Sequence, residues 1–189
     1  MAEAERHRAI AGTFTARVDG TRDWDVPTPV PEWTARDIVG HLTEWLPGLL
    51  DAVGVHLEPG PPASADPAGA WRAQTEAVQA LLDDPDSAGR VVDAPHMGTM
   101  PLGALLDRIY TTDVFMHTWD LARATGQDDR LDAAACEELV TGMAAMAEVI
   151  RSSGQFGTEV PVPADADPQT RMLGFIGRDP AWRPPTVRD

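Results

Sequence analysis

Seventeen prolines punctuate this chain of 189 residues, yet none falls between Pro101 and Pro161. Proline inside a helix removes a hydrogen bond and clashes with the preceding turn, so that gap is where a long helix can run unbroken. A helix over residues 102–124 would span roughly 35 Å at 1.5 Å rise per residue, enough to cross a small domain. Gly126 supplies its stop signal.

The remaining prolines cut the chain into shorter helical stretches. Ala9, Ile10, Phe14 and Val18 give a first apolar stripe ending near Gly20, and three prolines at alternate positions between Asp23 and Glu32 then impose an extended connection. Thr34 and Asp37 have the spacing of a capping box for a second helix. Its stripe is Ile38, Leu42, Trp45, Leu49 and Val53, with Pro47-Gly48 as a weak point. Residues 57–65 read as a loop, and Asp66-Pro67 opens a third helix with Trp71, Val78, Leu81 and Leu82 inward, ended by Pro85. Residues 90–100 read as a crossing loop with room for one short strand, carrying His96 toward the bundle. Asp132 caps a fifth helix through Leu139, Met143 and Ile150, and Asp167-Pro168 opens a short one that Gly177 stops. Few strand signals and no repeats point to an all-α fold, a four-helix bundle with an additional helix. Residues 1–189 are expected to form a single domain, with 155–189 as an extended and short-helical tail packed on the bundle through Phe156, Phe175 and Trp182, because that segment is too short for its own core.

Charge excludes some functions. Fifteen basic residues, all arginine, stand against 30 acidic ones, for a net charge of −15 and a pI near 4.5. Such a surface opposes attraction to phosphate backbones and anionic lipid, so neither nucleic acid nor membrane is an expected partner. The lone Cys136 rules out an internal disulfide and a thiolate cage. The charged start lacks an apolar leader, and the expected location is cytoplasmic.

The long helix carries the informative pattern. Its inward stripe runs Leu102, Leu106, Ile109, Asp113, His117, Asp120 and Ala124, so acidic residues and a histidine interrupt an apolar face. A buried carboxylate costs several kcal/mol unless paired, hydrogen-bonded or metal-bound. Asp113 and His117 stand one turn apart, close enough to converge on one ion, and His41 on the flank of the second helix is the best third ligand. Three such ligands leave a position open for water or substrate, as in catalytic rather than structural zinc. The competing reading makes each histidine a satisfied core group and pairs Asp113 or Asp120 with Arg123.

Other polar residues have weaker claims. Glu44, one turn beyond His41, is placed to orient it, to bind the ion or simply to face water. Asp120 suits either the remaining imidazole proton of His117 or a core ion pair. His96 and His56 are lesser ligand candidates, and His7 is expected at the surface. Cys136, in a run of small residues, reads as packing rather than a nucleophile. Trp45 and Trp119 are core residues or walls of a cavity near the ion.

Three segments carry a resemblance over nearly the whole chain: Trp33-Thr-Ala-Arg-Asp-Ile-Val-Gly-His41-Leu, Asp113-Val-Phe-Met-His117-Thr-Trp-Asp-Leu-Ala-Arg-Ala-Thr-Gly126, and Gly177-Arg-Asp-Pro-Ala-Trp182. The chain resembles the DinB/YfiT-like superfamily, and within it the mycothiol-dependent maleylpyruvate isomerase-like group, in particular a short subgroup with the last of these segments. The resemblance implies a four-helix bundle with a divalent metal at one end, held by a histidine of the second helix and a pair one turn apart on a later helix. His41, Asp113 and His117 match those places. The commoner pair is His-x-x-x-His and the isomerase uses Glu-x-x-x-His, so Asp113 keeps the carboxylate with a shorter reach.

The same resemblance implies zinc, with nickel as an alternative, and mycothiol or bacillithiol as cofactor. The expected partners are that small thiol and a small electrophilic substrate, for a monomer or homodimer. The isomerase also resembles a two-domain design in which a C-terminal domain supplies an arginine near the site, whereas one bundle and a short tail are expected here, so its specific reaction is not expected to carry over. A thiol-dependent transferase or isomerase is the leading expectation; the alternatives are a metal-dependent hydrolase and a noncatalytic metal- or small-molecule-binding protein. Glu44, His96 and Asp120 are the candidate proton carriers, none of them singled out.

Overall fold

A computed structural model describes residues 2–95, 97–152 and 154–185. Four helical rods form the bundle: α1 (Glu3–Gly20), α2 (Ala35–Ala52), α3 (Pro67–Asp83) and a long rod over residues 102–125. Helix α1 packs on α3 and on the long rod, and α2 packs on the same two. Between them lies a core of fully buried side chains that includes Phe14, Ile38, Leu42, Trp71, Leu105 and Tyr110. Local chemistry sets the ends of the rods. The Asp37 carboxylate accepts from the Thr34 backbone N–H at 2.8 Å, as the capping-box spacing predicts. Asp66 accepts from Gly69 N–H at the start of α3, and Gly126 ends the long rod in the left-handed region at φ 70°. Helix α2 continues through Pro47 without a break.

Where one short strand had room, there is an antiparallel hairpin. After α4 (Pro85–Ala88), β1 (Val91–Ala94) pairs with β2 (Gly98–Pro101), Val91 opposite Pro101. His96 lies outside the described residues.

The long rod is not a uniform α-helix. It runs as α5 (Leu102–Leu106), a π-helical turn (Asp107–Thr111) and α6 (Thr112–Thr125). The wider turn rotates the side chains along the rod, so Tyr110 and Thr111 are fully buried where the regular period pointed Ile109 inward, and Ile109 is only half-buried. Helix α1 grips this turn twice. Arg6 pairs with Asp107 at 2.7 Å, and His7 Nδ1 lies 2.9 Å from Thr111 Oγ1.

His7 is therefore not at the surface but fully buried, with its ring stacked 5.9 Å from that of Tyr110. It continues the stripe Ala11, Phe14 and Val18 at helical spacing, while Ala9 is exposed.

A second apolar cluster covers the outer face of α6. Phe115 and Trp119 pack with Cys136 and Leu139 of α7 (Ala133–Met143) and with Met172 and Leu173 of α9 (Pro168–Phe175); α8 (Ala147–Ser152) lies between. Phe156 joins this cluster and meets Phe175 edge to face at 5.8 Å. The segment after α9 closes on α6, where Arg123 donates to the Pro180 carbonyl at 2.9 Å. Among the described residues no helix is long and apolar enough to cross a membrane.

Candidate metal centre

The bundle brings His41 of α2 to Asp113 and His117 of α6. Each offers one ligand atom, and the three atoms lie within 4.8 Å of one another. His41 Nε2 is 2.9 Å from Asp113 Oδ2, and His117 Nε2 is 3.4 Å from Asp113 Oδ1. The shorter aspartate thus reaches both imidazoles, one through each oxygen. The Trp45 indole N–H donates to Asp113 Oδ2 at 3.2 Å. Burial opposes ionisation of Asp113, but the neighbouring histidines and the Trp45 N–H outweigh it and hold the carboxyl below the usual carboxylate range.

Behind His117 stands a second carboxylate, fully buried. Asp120 Oδ2 lies 2.9 Å from His117 Nδ1, and Arg178, from the segment after α9, donates to both Asp120 oxygens at 2.9 and 3.1 Å. Burial again works against the charge, and the Arg178 guanidinium and His117 more than offset it, so Asp120 also sits below the usual range. An ionised Asp120 only accepts, which makes Nδ1 of His117 the donor and turns Nε2 toward Asp113 and His41. Both expectations for Asp120 hold together: it orients the imidazole and forms a core ion pair. The partner is Arg178 and not Arg123, which pairs with Asp129 at 3.0 Å and lies over the Trp119 ring.

Trp33 closes one side, its ring 5.0 Å from that of His41 and 5.8 Å from that of His117. Outside His41 opens a cleft of about 520 Å³ lined by Glu32, Trp33, Asp37, Gly40, His41 and Glu44. Of the candidate proton carriers within the described residues, Glu44 lines this cleft, whereas Asp120 has no exposed surface. Glu44 does not belong to the group of three ligand atoms. His56 lies elsewhere, exposed beside Asp51 at 3.1 Å. Cys136 is buried in the outer cluster, where burial first and the charges of Asp132 and Asp167 second push its thiol up to about 12, far from a reactive thiolate. Trp119 belongs to that cluster as well, while Trp45 lies against the site.

Comparison with known proteins turns this geometry into a family assignment. The model of the mycothiol maleylpyruvate isomerase N-terminal domain matches residues 4–122, a span that contains all three ligand-bearing side chains. The chain belongs to this family. Within the mycothiol maleylpyruvate isomerase N-terminal domain family, it is similar to two uncharacterized proteins from two strains of Mycobacterium tuberculosis, each 32% identical over 177 residues, which is 91% of this chain and 95% of the relative. No solved structure matches. The family match ends before Arg178, so the residue that neutralises Asp120 lies outside the matched domain.

Proposed function

We propose that this protein is a metal-dependent enzyme of the thiol transferase or isomerase type, presenting a low-molecular-weight thiol, mycothiol or bacillithiol, to a small electrophile. The observation that carries the reading is the approach of three ligand atoms from His41, Asp113 and His117 to within 4.8 Å of one another. Two imidazole nitrogens and a carboxylate oxygen suit zinc, and nickel next. Bound there, such an ion would lower the pKa of a coordinated thiol and make thiolate available at neutral pH.

The chain's own side chains do the rest. Arg178 neutralises Asp120, Asp120 holds His117 Nδ1, and His117 Nε2 is thereby fixed toward Asp113. The Trp45 N–H restrains the Asp113 oxygen that faces His41. Trp33 lies against both imidazoles and also forms part of the wall of the cleft beside His41, through which a ligand can approach.

A cobalt-substituted sample tests the thiol half of the reading. Adding mycothiol or bacillithiol is expected to change its visible spectrum saturably, by creating a cobalt–sulfur bond, and the change should vanish in His117→Ala. A spectrum indifferent to both thiols would count against thiol chemistry.

A further inference from the structure

We propose that the cleft beside His41 selects against anions, so that among small thiols it admits uncharged or cationic ones in preference to carboxylate-bearing ones, and that Glu44 is the specificity-determining carboxylate. This rests on the reading of His41, Asp113 and His117 as the reacting end of the site. Three carboxylates, Glu32, Asp37 and Glu44, line the cleft together with His41, and no arginine does. Among the described residues no ion pair within 4 Å reaches any of the three. The nearest arginine in sequence, Arg36, is engaged by the Asp25 carboxylate and by the Ala63 and Ser64 carbonyls. Arg178 is engaged by Asp120. A carboxylate-bearing thiol would approach three like charges, with no guanidinium among the residues that line the cleft, across the surface of a protein of net charge −15.

Glu44 occupies the decisive place. Its Oε1 stands 3.5 Å from where a Cβ would project from Gly40, so the carboxylate folds back over that glycine. It also lines a second cavity of about 220 Å³, between α2, α3 and the proline-rich loop at residues 57–63. Glu58 lines that cavity too, again without an arginine. Gln74, which is more than nine-tenths buried, lines it from α3. Beside it the fully buried Tyr110 hydroxyl meets the Gln74 side chain. A carboxylate entering this cavity would meet Glu44 and Glu58 as like charges, which a neutral hydroxyl or carbonyl oxygen would not.

Three small thiols that differ in charge test the proposal: cysteamine, 2-mercaptoethanol and 3-mercaptopropionate, titrated into the cobalt-loaded protein and followed through the sulfur-to-cobalt absorption. Because their thiol acidities differ, the readout is how the ratio of affinities changes. In Glu44→Gln the affinity for 3-mercaptopropionate relative to 2-mercaptoethanol should rise roughly two- to fivefold, and that for cysteamine should fall by a similar factor. Glu32→Gln should act in the same direction, and raising the salt should narrow the wild-type ratios, since exposed charges are screened. Ratios unmoved by both variants and by salt would overturn the charge selection while leaving thiol binding intact. Failure of all three thiols to bind would instead remove the reading on which the selection rests.

Discussion

Replacing Arg178 with alanine is expected to lower the unfolding free energy by about 3–5 kcal/mol, the typical cost of stranding one member of a buried ion pair. The Asp120 side chain is 0% exposed and that of Arg178 only 11%, so neither charge can fall back on water. Without the guanidinium, Asp120 keeps the single hydrogen bond from His117 Nδ1 and must either hold an uncompensated charge or take up a proton. The double variant Arg178→Ala with Asp120→Asn removes the stranded charge and should recover part of the loss. Urea unfolding of the three proteins measures this, and a loss below about 1 kcal/mol in the single variant would mean that the pair contributes little.

A second large effect lies in the acid limb of stability. Burial, helped by the positive charges of Arg6 and Arg8 and opposed by Asp83, pushes His7 down from 6.5 to about 4. In the unfolded chain the imidazole takes up its proton near pH 6.5, but in the folded chain only near pH 4, so between these values the unfolded state binds more protons. Stability is therefore complete above pH 6.5, falls as the pH drops and levels off below about 4, and the linkage comes to about 3 kcal/mol for a shift of this size. His7→Gln cannot titrate, and its stability should fall less over that window by about the same amount. Equal losses in variant and wild type, measured by urea unfolding at pH 7, 5.5 and 4.5, would show that His7 does not set the acid limb.

These two residues also mark what could and could not be read from the chain. The helices that build the bundle announce themselves through proline placement, caps and periodic apolar residues, and the pairing of Asp113 with His117 comes from one helical turn. His7 was legible too, since it stands four residues before Ala11 and seven before Phe14; its residue type, not its spacing, argued for the surface. The π-helical turn was not legible. It has no residue code, and it arises where α1 grips Asp107 and Thr111 from across the bundle. Nor could spacing reveal that Arg178 meets Asp120, because 58 residues separate them and only the packing of α9 against α6 and α7 brings them together. The segment around Arg178 stood out as a motif, but its partner was a tertiary fact. The cleft's charge was hidden similarly: Glu32 belongs to a turn with φ 67°, while Asp37 and Glu44 lie on α2, and only the folded chain shows that they share one wall.

The central claim is that His41, Asp113 and His117 hold one divalent ion between α2 and α6. Elemental analysis after saturation with zinc and exhaustive dialysis tests it most directly. One zinc per chain is predicted for the wild-type protein, with loss of most of it in both His41→Ala and His117→Ala while helical content is retained. Equal zinc in all three proteins, or none in the wild type, would contradict it.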